Sequence, residues 1–266
     1  MGACPSRRIA SLLFAAGVLA SSPAQAYRPF DGTDADVAPE GEYELELGPV
    51  GWVDENGQNF AVTPWIVNNY GIARGHELVL EGRHFLRIGN DQEIPRSRVV
   101  DTDILLKSII RRGSLQEGKG LSIATEIGPL LPQIHDDDRW GFSVGTIASQ
   151  RWESLTLHLN VVNAIERTQR YDVFVGMIAE GPDAWAVRPV AEVFVEQGFV
   201  PGNEPALTRS ALVGAIWRAD ESFDVDLGVR AARGEEGSVL ELRLGITWGI
   251  EVVHHEEPPR IEGQEP

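Results

Sequence analysis

The sequence predicts an all-β chain: an antiparallel up-and-down transmembrane β-barrel of about 12 strands, occupying residues 42–250. Three observations carry that expectation. The last hairpin, Phe223 to Ile250, alternates strictly, with Leu240, Leu242, Leu244, Ile246, Trp248 and Ile250 on one face and Glu241, Arg243, Gly245, Thr247 and Gly249 on the other. That period of two marks a strand. Each arm has about the ten residues that a tilted strand needs to cross a bilayer, against about five or six for a soluble strand. The connections between candidate strands also sort by parity, long against short, as in barrels whose two ends share one side of the membrane.

The first arm of that hairpin repeats the pattern. Phe223, Val225, Leu227, Val229 and Ala231 oppose Asp224, Asp226, Gly228, Arg230 and Ala232. One apolar and one charged face suit a barrel wall. In lipid an open sheet edge leaves backbone donors and acceptors unpaired, so a spanning sheet has to close on itself. The same faces also fit a soluble periplasmic barrel or sandwich that turns its apolar sides inward around an apolar ligand.

From the beginning of the chain, residues 1–26 read as an export signal. Arg7 and Arg8 form the positive end, Ile9 to Ala20 the apolar core, and Ala24-Gln25-Ala26 the small-x-small cleavage site before Tyr27. The only cysteine, Cys4, lies in this signal, so a disulfide framework and a thiol nucleophile are excluded from the mature chain. Residues 27–41 read as a flexible acidic lead-in. The first strand, Glu42 to Leu47, sets Tyr43, Leu45 and Leu47 against three glutamates. Phe60 to Tyr70 and His76 to Phe85 follow, joined across Gly71 to Gly75. Val99 to Ile110 alternates less cleanly and also admits a helix. Leu121 to Pro129 and the hairpin of Trp140 to Ala148 with Trp152 to Ala164 come next. Tyr171 to Ala179, Trp185 to Val195 and Leu207 to Trp217 lead into the closing hairpin. Long connections are expected at Gly48 to Asn59, Leu86 to Arg98, Leu130 to Arg139 and Glu196 to Ala206, and short ones at Gly71, Ser149, Glu180 and Arg218. Trp140, Trp152, Tyr171, Trp185, Trp217, Phe223 and Trp248 fall near strand ends, where aromatic rings suit the lipid–water boundary. Residues 251–266 read as a disordered tail.

The net charge is −17, and removing the signal takes away two arginines and no acid, leaving 21 basic against 40 acidic residues, or −19. That sign disfavours nucleic acid as a partner and leaves outer-membrane lipid and a small-molecule solute. No motif calls for a cofactor, a metal or a catalytic constellation. His135 to Asp138 lacks the spacing and glycine of a calcium loop, and His254-His255 would need a third ligand to hold a transition metal. A hydrolase on the barrel wall would pair His158 with a serine, but Asn160 stands two residues later and Ser143 sits on another strand. Glu192 and Glu196 are explained as one polar face of a strand.

What remains is a lumen lined by charge. The expected lining residues are Glu42, Glu44, Glu46, Asp101, Asp103, Lys107, Glu126, Arg188, Glu192, Glu196, Asp224, Asp226, Arg230, Glu241 and Arg243. With acids outnumbering cations among them, unpaired carboxylates should be hydrated. A wet, narrow or partly plugged bore with a preference for cations follows. The alternative is a packed polar network without transport.

Four stretches carry a resemblance: the export signal, EYELELG at 42–48, TPWIVNNYGIARGHELVLEG at 63–82, and DVDLGVR at 224–230 with LELRLGITWG at 240–249. Over residues 40–250 the chain resembles the bacterial MetA-pathway of phenol degradation family, whose members are often described as outer-membrane transporters. The resemblance implies an outer-membrane barrel and a channel for small, aromatic compounds. It assigns no functional residue. Members of most barrel families end on the last strand with an aromatic residue, and this chain departs from that by running on to Pro266.

Overall fold

The computed structural model describes residues 28–89, 95–235 and 237–252. The expected export signal, His254-His255 and the tail from 253 onward lie outside the described residues. Twelve strands follow one another along the chain: β1 (Glu42–Glu55), β2 (Gln58–Ala73), β3 (His76–Ile88), β4 (Ser97–Arg111), β5 (Ser122–Leu130), β6 (Gly141–Arg151), β7 (Thr156–Ile165), β8 (Tyr171–Glu180), β9 (Val187–Phe199), β10 (Ala206–Asp220), β11 (Phe223–Gly234) and β12 (Gly237–Glu251). Each pairs antiparallel with its chain neighbours, and β1 pairs with β12 from Glu42↔Glu251 to Glu55↔Val239, so the barrel is closed. Closure satisfies the backbone of every strand, which is what a lipid environment demands.

The faces separate as the alternation predicts. On β12, Leu242 is 45% exposed while Arg243 beside it is 2% exposed. Exposed Trp152, Trp185, Trp217 and Trp248 ring the near rim, the one that carries both ends of the barrel, and Trp140, Phe142, Tyr171 and Phe199 ring the far rim. Apolar surface between two aromatic girdles is the outer face of a transmembrane barrel.

Two expectations are corrected. The connection Gly48 to Asn59 is not a long loop. β1 and β2 extend to a two-residue turn at Asn56-Gly57, with φ of 55° and 84°. Asn-Gly with two positive φ values is the hairpin turn whose twist matches the flanking strands. The stretch Gly48-Pro49 hides this in the sequence, because a bulge between Leu47 and Val50 breaks the period of two. Nor is the lead-in loose. Residues 28–41 fold back into the barrel, where Phe30 packs with Ile178, Val190, Leu212 and Ile216. Burying one phenylalanine contributes about 1.5–3 kcal/mol. Val99 to Ile110, open to a helical reading, is strand throughout within β4.

Two further bulges set the geometry of the lumen. Pro64 has no N–H for the ladder, and β2 slips between Val62 and Trp65. Phe60 and Val62 point inward before the slip; Trp65, Val67 and Asn69 do so after it, which brings the Trp65 indole into the barrel. On β4 the register slips between Val100 and Asp103, with Asp101 at φ 51°. The connection from β4 to β5 folds inward through a short helix, α1 (Ser114–Glu117), whose Leu115 packs on Ala35, Ala124 and Ile147.

Candidate functional site

The lumen is crossed by residues 28–41, and the barrel wall receives this segment as it would a bound peptide. Its backbone donors are matched one by one. Arg28 N donates to Glu46 Oε2 at 3.2 Å, and Asp31 N and Gly32 N donate to the two oxygens of Glu192, each at 2.8 Å. Thr33 N donates to Asn160 Oδ1 at 3.0 Å, and Asn160 returns its own N–H to Thr33 O at 2.8 Å. Ala35 N donates to Ser149 Oγ at 2.9 Å, Ala38 N to Glu77, and Gly41 N to Gly71 O at 2.9 Å. Buried backbone groups need such partners, and here the wall supplies most of them as side chains.

Three ion-paired residues, Arg28, Asp31 and Asp34, anchor the segment. Arg28 lies 3.4 Å from Asp226 and above the Trp65 ring at 4.1 Å. Asp31 lies between Arg243 at 2.9 Å and Arg230 at 3.0 Å, with Arg83 at 4.0 Å. Asp34 faces Lys107 at 3.7 Å, and Lys107 also faces Glu77 at 3.8 Å. Burial alone would raise the Asp31 carboxyl, but the guanidiniums of Arg243, Arg230 and Arg83 override it and hold that group well below the usual carboxylate range. Trp65 stands at the centre of the arginines: Arg83 stacks on its ring at 3.5 Å and Arg243 at 5.1 Å, while its Nε1–H donates to Glu81 at 2.8 Å.

The segment separates two cavities, each of about 470 Å³. The outer one, toward the far rim, is bordered by Arg28, Phe30, Asp31, Gly32 and Thr33 of the segment. Ten carboxylates and five basic side chains line it, an excess of negative charge. The inner one, at the near rim, is bordered by Asp36 to Glu40 together with Glu44, Arg74, Arg112 and Gln116. Glu77 borders both.

The expected lining residues fall into distinct settings. Glu46, Lys107, Glu192, Asp226, Arg230 and Arg243 hold the segment. Glu241 lies behind them, 2.7 Å from Arg243 and 3.5 Å from Arg230. Asp101, Asp103, Glu126 and Glu196 border the outer cavity, with Asp101 3.2 Å from Arg83 and Glu196 3.5 Å from Arg170. Asp103 pairs with Arg167 from the connection after β7. Arg188 joins Glu180 at 3.3 Å, Asp224 at 3.4 Å and Asp183 of the near-rim connection at 3.1 Å. Burial raises Asp183, but Arg151, Arg218 and Arg188 outweigh it and lower its carboxyl. Glu44 borders the inner cavity and Glu42 sits half-buried at the near rim opposite Glu251.

The expected shortage of cations is corrected for the centre of the barrel, while acids remain in excess around the outer cavity. Arg28, Arg83, Arg167, Arg170 and Arg218 also reach the interior acids, so the central charges form a paired network rather than a set of lone hydrated carboxylates. A periodic signal for one of them existed. Glu77, Val79 and Glu81 alternate along β3 and Arg83 continues the series.

His158 does have a serine partner, but it is Ser149, its cross-strand neighbour on β6. Ser149 Oγ is 2.8 Å from His158 Nδ1, and His158 Nε2 donates to Glu180 Oε1 at 3.0 Å. The order of groups matches a nucleophile relay. Its setting does not, because Ser149 is 0% exposed, its oxygen accepts the Ala35 N–H, and it borders neither cavity. Ser143 lies apart, lining the outer cavity. The acidic stretch at 135–138 faces arginines, with Asp136 3.4 Å from Arg98 and Asp137 3.6 Å from Arg139.

No family model matches the chain, and no curated protein matches it. Solved structures do. The COG4313 outer membrane channel from Pseudomonas putida F1 superposes with a TM-score of 0.57 at 11% identity, covering 83% of this chain and 99% of that one. The NanC porin gives 0.54 at 6% identity over 77% of this chain and 98% of its own. The KdgM porin in complex with disordered oligogalacturonate gives 0.50 at 8% identity over the same shares. At such identities the likeness is one of fold, and the fold is the twelve-stranded transmembrane barrel described above.

Proposed function

We propose that this chain is an outer-membrane channel for small solutes, exported through an N-terminal signal and closed at rest by residues 28–41. The observation that carries this reading is one lumen divided into two cavities by a single strip of chain. A barrel with a greasy outside, aromatic girdles and both ends at one rim fits the outer membrane, with the near rim in the periplasm. The solved channels and porins of the same fold support it. The excess of carboxylates around the outer cavity favours cations in any current that passes. Small aromatic solutes, as the sequence resemblance implies, are compatible with the phenylalanines Phe30, Phe174 and Phe194 in that cavity.

Conductance across planar bilayers tests the reading. The full chain should give small or rare openings, and a variant lacking residues 28–38 should give a current several-fold larger, with a reversal potential on the cation side in a KCl gradient. Absence of current from both proteins in their folded form counts against a channel. A soluble ligand carrier would need Leu240, Leu244 and Trp248 inside, and they are outside.

A further inference from the structure

Resting on the channel reading, we propose that Arg83, Arg230 and Arg243 form a binding site for a small organic anion with one carboxylate and an apolar body, and that Asp31 occupies this site as a built-in competitor. Three guanidiniums from three strands, β3, β11 and β12, converge on one carboxylate that belongs to a segment of no regular structure. Guanidinium forks suit carboxylates in geometry as well as charge.

The site has capacity beyond its present occupant. The buried Nε–H of Arg243 finds no hydrogen-bond acceptor among the described residues, and Arg230 Nε faces Asp31 Oδ2 at 3.0 Å without the alignment of a hydrogen bond, so the present occupant fills the site imperfectly. Asp101, Glu81 and Glu241 already lie against these arginines at 3.2, 3.6 and 2.7 Å, so the trio keeps its charge balance when Asp31 leaves. A solute can reach it, since Asp31, Arg83 and Arg230 all border the outer cavity.

The same cavity selects the rest of the ligand. Phe30, Phe174 and Phe194 offer an apolar wall beside Arg230, whose guanidinium lies 5.3 Å from the Phe194 ring. The surrounding carboxylates repel a second negative charge, so a monoanion is preferred over a dianion. Binding at the trio releases Asp31, and the segment loses one of its three ion-paired anchors. Ligand entry and opening are thereby linked through competition for one site.

Calorimetry with benzoate on the folded protein in detergent tests the site without requiring any current. Asp31→Asn removes the competing charge and should tighten benzoate binding at least tenfold, while phthalate and the neutral benzamide bind weakly or not at all. Adding Arg230→Met to Asp31→Asn should abolish the gain. Equal benzoate affinity in wild type and Asp31→Asn overturns the proposal, as does equal binding of benzamide. An otherwise wild-type chain with Thr33→Cys gives a second readout. Saturating benzoate should speed maleimide labelling of that cysteine several-fold, and an unchanged rate overturns the competition. A protein that binds benzoate in this way yet passes no current would retain the site and lose the channel.

Discussion

Gly48 and Gly245 make the slot in which Arg28 lies. A Cβ at Gly245 would sit 2.2 Å from Arg28 Nε and 2.3 Å from Asp226 Oδ2, and one at Gly48 would sit 2.8 Å from Arg28 Nη2. Gly245→Ala should therefore expel or distort the Arg28 anchor, costing about 1–3 kcal/mol of stability and raising the frequency of channel openings. Urea unfolding and single-channel recording check the two effects. Lys107 is a second such position, since it is the cation against both Asp34 and Glu77 in a buried setting. Lys107→Met leaves both acids without it and should destabilise the fold by about 3–5 kcal/mol, read as a lower urea midpoint. Single residues of this kind were partly legible in the sequence. Asp226, Arg230 and Arg243 stand on strictly alternating strands, where period alone gives the face, and Lys107 stands on the less cleanly alternating β4. Trp65 and Asp31 were not legible, because Trp65 owes its inward direction to the bulge at Pro64 and Asp31 has no period at all.

At the scale of elements, strand order and pairing followed from alternation and turn residues, and strand ends did not. The hairpin of β1 and β2 runs further than its first six alternating residues suggest, because the bulge at Gly48-Pro49 interrupts the pattern and Asn56-Gly57 resumes it as a tight turn. Gly57 holds φ 84° with open space around it, so Gly57→Ala should cost about 1–2 kcal/mol through backbone conformation alone. Thermal unfolding of the variant, with an unchanged far-UV spectrum at low temperature, checks it. The N-terminal segment illustrates the opposite limit of sequence reading. Its order comes from partners far along the chain, such as Glu192, 161 residues from Asp31. A local window holds no trace of such a pairing, and an acidic stretch without periodicity reads as loose.

For the whole molecule, two opposite solvents explain the two faces. Acyl chains outside demand apolar side chains, and a lumen that holds charge demands partners or water for each ion. Leu244→Arg places a cation on the lipid face in the body of β12 and should destabilise the folded barrel in bilayers by about 2–4 kcal/mol. In the same urea titration in lipid vesicles, Ser238→Arg, at the far rim of the same strand, should cost much less, about 0–1 kcal/mol. Equal penalties would contradict a membrane-spanning belt.

In the folded barrel the N-terminal segment lies across the lumen. A cysteine pair at Gly32 and Asn160 tests it most directly, because a Cβ at Gly32 would stand 3.1 Å from Asn160 Cγ, close to the roughly 3 Å between a Cβ and the partner sulfur in a disulfide. The sequence offers no competing thiol outside the expected signal. Mild oxidation of the membrane-embedded double variant should close this disulfide in nearly every molecule, seen by intact mass and as a gel shift reversed by reductant. Two free thiols after oxidation, in a protein that is otherwise folded, would contradict a plugged lumen.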